Sequence, residues 1–207
     1  MLSPGVRKLA LTAHVVSSVG WLGSVAGFLA LSIAGVTSSS ATTVRSAFVA
    51  MNLIGQFMIV PLSLLALLTG LIQALGTHWG LFRHYWVLTK FALTVAATTL
   101  LLMHQFTAVS EAAKQASAAS GLPDVGPLGT QLVFDAAAAI VVLLTTTTLS
   151  VFKPWGKTGY GGRVGEMPLG LRIFLTIVGA IVAGILIVHL AGGGMGHAPL
   201  PSGLFAK

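Results

Sequence analysis

Long apolar runs, separated by short polar or glycine-containing stretches, set the pattern of this chain. Five runs reach the ~20 residues that a membrane-crossing helix requires. They extend over about 9–36, 47–75, 86–109, 132–152 and 171–190. The apolar residues are continuous rather than alternating, and backbone groups in hydrocarbon must be satisfied within their own segment, so helix is predicted over strand. The expected fold is therefore an all-α, polytopic membrane bundle of five transmembrane helices. The bundle occupies 1–192, and a short outer tail follows from 193. The first run follows Arg7 and Lys8 as a signal peptide would, but it is longer than the roughly 7–15 residues of a signal core and reads as a retained helix.

Composition removes the soluble alternative. Apolar residues make up 55% of the 207 residues before 25 glycines are added, and only 7% are charged, against about 25% charged in a typical soluble domain. The net charge of +7 does not indicate nucleic acid, because the basic residues lie in short loops and form no basic face with aromatic platforms. Their distribution predicts orientation instead. With the N-terminus inside, Arg7, Lys8, Arg83, Lys90, Lys153, Lys157, Arg163 and Arg172 are inner, and Arg45, Lys114 and Lys207 are outer. The bias predicts N-in, C-out. Trp79, Tyr85, Trp86, Trp155 and Tyr160 then fall at the inner water boundary. The expected location is the plasma (inner) membrane of a bacterium. The segment Ser110 to Thr130 is the largest expected outer loop.

Helix-packing signals are few. Gly23 and Gly27 form a G-x-x-x-G step on the first helix, and Gly179 with Ala183 forms a similar one on the fifth. Pro61 leaves the carbonyl of Phe57 without its helical donor, which predicts a kink.

Polar residues inside apolar runs are costly and carry the chemical signal. Counted from the helix ends, Asn52, Gln56, His104, Gln105, Asp135 and His189 fall at one level in the outer half. Met51 and Met103 lie at similar depth, and Met195 and His197 follow in the tail. Two imidazoles facing across a bundle suit axial ligation of haem iron, and imidazole with thioether suits copper. His104 and His189 are the candidate haem or metal ligands, Met103 a further metal ligand, and Asn52 and Gln56 line the site. Asp135 is a candidate catalytic group, as an acceptor that orients a ligating histidine or as a proton carrier. The alternative for each is a helix cap or a bond to a neighbouring helix. At the inner side, His14 lies among apolar residues about two turns into the first helix. It differs from His104 in depth by roughly 12 Å at the standard rise, too far to share one haem. No cysteine is present, which excludes thiolate metal sites and covalent c-type haem. No nucleophile elbow, H-E-x-x-H or Walker sequence occurs.

His14 followed by Gly20-Trp21-Leu22-Gly23 resembles the "LH…WLGG" opening of a group of small bacterial membrane proteins. The group includes copper-resistance D-type proteins, uncharacterised predicted integral membrane families and the haem-dependent protoporphyrinogen oxidase. Leu68-Thr69-Gly70-Leu71, then Trp86-Val87-Leu88-Thr89-Lys90, then His104 are similar to its second and third helices. The resemblance covers about half of the chain. It implies a core of four helices, a functional histidine at His14, a functional lysine at Lys90 and a b-type haem. The fifth helix with His189 departs from the group.

Three readings follow. The first is a b-type haem membrane protein that moves electrons or oxidises a lipophilic substrate such as a quinol or porphyrinogen. The second is a copper-binding or copper-transporting membrane protein. The third is a cofactor-free accessory subunit of a larger membrane complex.

Overall fold

The computed structural model describes residues 3–76, 80–154 and 156–158. Four helices long and apolar enough to cross a membrane are present among them: α1 (Pro4–Thr37), α2 (Ala41–Gly76), α3 (Tyr85–Ala118) and α4 (Gly126–Phe152). The predicted fifth helix, with Gly179, Ala183 and His189, lies outside the described residues, as does the tail with Met195 and His197.

The helices run up and down in chain order. α1 packs on α2 and α4, and α3 packs on α2 and α4, which leaves α1 and α3 diagonal across the bundle. One end holds the Ser38–Ser40 turn and the α3–α4 connection. The other holds the N-terminus, the α2–α3 connection and the segment after α4. At that second end an antiparallel bridge pairs His84 with Lys157. There Thr158 donates its hydroxyl to the Phe82 carbonyl and its N–H to the Arg83 carbonyl.

The helices extend past their apolar cores. α2 starts at Ala41 rather than 47, α3 ends at Ala118 rather than 109, and α4 starts at Gly126 rather than 132. The extra turns carry Thr42, Thr43, Arg45, Glu111, Lys114, Thr130 and Gln131. Hydropathy ends where lipid ends, whereas a helix ends where its last backbone groups find a cap. Ser40 supplies such a cap by accepting the Thr43 N–H at 3.4 Å, and Ser3 caps α1 ahead of Pro4. The expected outer loop Ser110 to Thr130 therefore shrinks to the stretch between Ala118 and Gly126. Arg45 closes that end by donating to the carbonyls of Ala116 at 3.2 Å and Ala119 at 2.7 Å.

Large apolar side chains face outward as well as inward, and several small or polar ones are buried. Leu9, Val19, Phe57 and Phe134 point outward, while Ser17, Ser32, Ser63, Thr98 and Gln105 are buried. Lipid solvates the outer apolar side chains, and small or polar groups let the helices approach. Phe48 fills the core in the half nearer the Ser38–Ser40 turn, against Gly35 and Gly129, where a Cβ would come within 2.8 Å and 3.3 Å of its ring. Around it lie Val25, Phe28, Met51, Leu132 and Ala112. Trp86, near the start of α3, is only 8% exposed and packs with Ala74, Leu81 and Val87. Gly20 meets Leu62, but a Cβ on Gly23 or Gly27 would meet nothing within 4 Å, so this face is open among the described residues.

Both α2 and α3 contain a π-helical turn, at Gly55–Ile59 and Gln105–Val109. The first precedes Pro61, where Val60 N–H reaches back to the Gly55 carbonyl. The register change accompanies the proline that was expected to disturb the helix. In the second, the Ser110 hydroxyl donates to the Gln105 carbonyl at 3.2 Å.

Candidate functional site

All four described helices contribute to one polar centre near the end that holds the chain's N-terminus. His14 of α1 places Nδ1 at 3.0 Å from the Ala66 carbonyl and 3.1 Å from Thr69 Oγ1 on α2. A carbonyl only accepts, so Nδ1 carries the proton and donates to it. Thr69 in turn donates to the Leu65 carbonyl at 2.6 Å. The other ring nitrogen, Nε2, then presents a lone pair, and Lys90 Nζ of α3 lies 3.3 Å from it. Lys90 also donates to Ser150 Oγ of α4 at 2.6 Å, and Ser150 passes its own proton to the Thr146 carbonyl at 2.8 Å. The donors and acceptors of this chain of contacts are consistent from end to end. Gly70 lies against the imidazole; a Cβ there would sit 3.1 Å from His14 Cε1. Among the described residues no carboxylate pairs with Lys90. A half-buried cation held only by neutral groups is a costly arrangement in a bundle of this composition, and marks a candidate site.

A second polar group lies in the opposite half. His104 Nδ1 donates to the Leu100 carbonyl at 2.8 Å, and Nε2 lies 3.2 Å from Asp135 Oδ2 and 3.5 Å from Gln131 Nε2. With Nδ1 already protonated, two lone pairs would face each other between Nε2 and Oδ2 unless the pair holds a further proton. Next to it, Gln105 on α3 reaches α2 through the Asn52 side-chain oxygen at 3.1 Å, and Gln56 donates to the same oxygen at 3.2 Å. Gln105 is 1% exposed. Its amide occupies the space beside Gly55, where a Cβ would fall 1.8 Å from Oε1.

Most of the residues singled out by sequence are thus brought together, but in two groups. His14 meets Lys90. His104 meets Asp135, while Asn52, Gln56 and Gln105 form an amide cluster beside them. Met103 is 49% exposed and turns away from His104. His189 lies outside the described residues. Among those that are described, no three histidines or carboxylates come close enough to hold a metal ion. The depth difference between His14 and His104 is larger than the sequence suggested. The His14–Lys90 contact sets the register of α1 against α3, and His104 lies fourteen residues past Lys90, about 21 Å along the helix. Asp135 is likewise about 22 Å along α4 from Ser150, so Asp135 and Lys90 do not share a site. Ser150 and Thr69 were missed by sequence reasoning. Each is one polar residue in a threonine-rich or leucine-rich run, and only the helix register distinguishes it from its neighbours.

No family model, curated protein or solved structure matches this chain.

Proposed function

We propose that this protein is a multi-pass, N-in integral membrane protein of the b-type haem class, acting in electron transfer or in oxidation of a lipophilic substrate such as a quinol or porphyrinogen. The observation that carries the reading is the His14–Lys90 centre. A ligating imidazole is generally fixed by donating its other N–H to a carbonyl, and the Ala66 carbonyl does this for His14. Gly70 packs directly against the ring, where a Cβ would sit 3.1 Å from His14 Cε1. His14 would hold the iron through Nε2 once Lys90 leaves that nitrogen, and the released ammonium would then be available to a propionate or to an anionic substrate edge. A bound haem would supply one-electron chemistry. The protein's own part is to hold the imidazole tautomer, to place a cation beside it and to exclude water through the surrounding helices. The resemblance of the His14, Trp21 and Lys90 stretches to the haem-dependent group supports the same assignment.

This reading moves the preferred ligand from the outer His104–His189 pair to His14, because His104 Nε2 lies against the Asp135 carboxylate at 3.2 Å, whereas the neighbour of His14 Nε2 is the end of a long, flexible lysine side chain. The Asp135 contact, with the outward course of Met103, gives the copper alternative less support.

An absorption spectrum of detergent-purified protein tests the proposal. Wild type should show a Soret band and a sharp reduced α-band, lost in His14→Ala and retained in His104→Ala. A colourless wild type that stays colourless when haem is supplied ends the proposal. Copper bound equally by wild type and His104→Ala would end the copper alternative.

A further inference from the structure

Buried hydroxyls in this bundle are mostly satisfied within their own helix. Ser17, Ser32, Ser63, Thr69, Thr94 and Thr146 each donate to a carbonyl about one turn back. Two buried polar atoms break the pattern. The indole N–H of Trp21 and the hydroxyl of Thr98 have no hydrogen-bond partner among the described residues, although both residues are only 3% exposed. Such groups are rare in folded interiors and call for a physical explanation.

Their positions are related. Trp21 lies seven residues past His14, about 10.5 Å along α1, and Thr98 eight past Lys90, about 12 Å along α3. His14 and Lys90 touch, and the two helices run the same way. The two stranded groups therefore sit at nearly one level, on diagonal helices. Seven positions return Trp21 to within about 20° of the face that carries His14, and eight set Thr98 about 80° round α3 from Lys90, still within one broad face.

An indole N–H can only donate, whereas a threonine hydroxyl donates and accepts. A buried site with polar partners of both kinds, at the axis of a bundle, is where ordered internal water is found. We propose that Trp21 and Thr98 bind internal water at mid-bundle, and that this water forms the middle of a hydrated path from the His14–Lys90 centre to the amide cluster of Asn52, Gln56 and Gln105. Stepping stones exist on both sides. Ser17 lies between His14 and Trp21, and Thr94 between Lys90 and Thr98. Gln105 continues the stripe of α3 seven residues beyond Thr98. The path gives the inner centre proton exchange toward the opposite half of the bundle without opening its core to bulk water. It goes beyond the haem proposal and does not depend on it.

Nuclear magnetic resonance of the full chain in detergent micelles, with nitrogen-15 in its four tryptophans, tests this with water as the probe. Trp21→Phe identifies the Trp21 indole signal. The wild-type signal should show direct magnetisation exchange with water. Transfer into heavy water should replace its proton, at least tenfold more slowly in Thr98→Val and at the original rate in Thr98→Ser. The other three indole signals report that each variant stays folded. A wild-type Trp21 signal without water contact overturns the proposal on its own, with no substitution needed. So does an exchange rate that Thr98→Val leaves unchanged. A missing Soret band would leave both measurements intact, so the two proposals fail separately.

Discussion

Lys90 Nζ lies 3.3 Å from His14 Nε2, and this contact joins the two helices that do not otherwise pack on one another. It places an ammonium group against a lone pair between the helices of the bundle. Removing the imidazole leaves the ammonium with Ser150 alone. His14→Ala should lower stability by about 1–3 kcal/mol, the cost of an unmet buried donor. Adding Lys90→Met to that variant should recover more than half of the loss, because the stranded charge is gone. Unfolding of the three variants and wild type in mixed micelles measures the cycle. Simple additivity would show that the two residues are not coupled.

The amide of Gln105 beside Gly55 gives a steric prediction. A single methyl at Gly55 would meet Gln105 Oε1 at 1.8 Å. Gly55→Ala should therefore force the amide out of its bond to Asn52 and cost about 1–3 kcal/mol, the range for overpacking a core. Gln105→Ala in the same chain should relieve most of it. Thermal melts in detergent decide; a Gly55→Ala melt equal to wild type would show that the two π turns do not meet in this way.

Much of the architecture could be read from the chain, because membrane helices announce themselves by run length. The four described spans correspond to the first four apolar runs, and the errors lie at their ends, where polar turns such as Glu111–Gln115 remain helical. The site was legible as a list of costly side chains but not as a geometry. Counting from uncertain ends put His14 and His104 too close in depth, and nothing in the sequence set α1 against α3. Ser150 among threonines carries no signal of its own. The π turn at Gln105–Val109 has no proline to mark it, unlike the one ahead of Pro61.

Arg45 joins α2 to the last turn of α3 through two carbonyls, at 3.2 Å and 2.7 Å. Arg45→Ala should cost about 1–2 kcal/mol, since the orphan carbonyls at a helix C-terminus lose a charged donor. Arg45→Lys should recover only part, because an ammonium lacks the two-pronged fork. Hydrogen exchange of amides 112–122 would show it as faster opening of that segment. Unchanged exchange in Arg45→Ala would show that the bonds contribute nothing.

The absence of native cysteine makes the proposed orientation directly measurable. Single cysteines at Ser39 and Ser120, both exposed at the turn-bearing end, should react with an impermeant maleimide added to intact cells. One at Arg83, at the opposite end, should react only after the membrane is opened. The reverse pattern would invert the orientation, and equal labelling of all three would remove the up-and-down order.

Because His14, Thr69, Lys90 and Ser150 come from four successive helices, nothing resembling the finished centre exists until nearly three-quarters of the chain has been synthesised. Until α4 arrives, the Lys90 ammonium is without Ser150 and has only the first two hairpin helices to shelter it from acyl chains. Insertion of the last described helix and completion of this polar centre are therefore the same event. A nascent chain that stalls before Ser150 would carry an ill-shielded charge, a physical mark by which membrane proteases could separate unfinished molecules from finished ones.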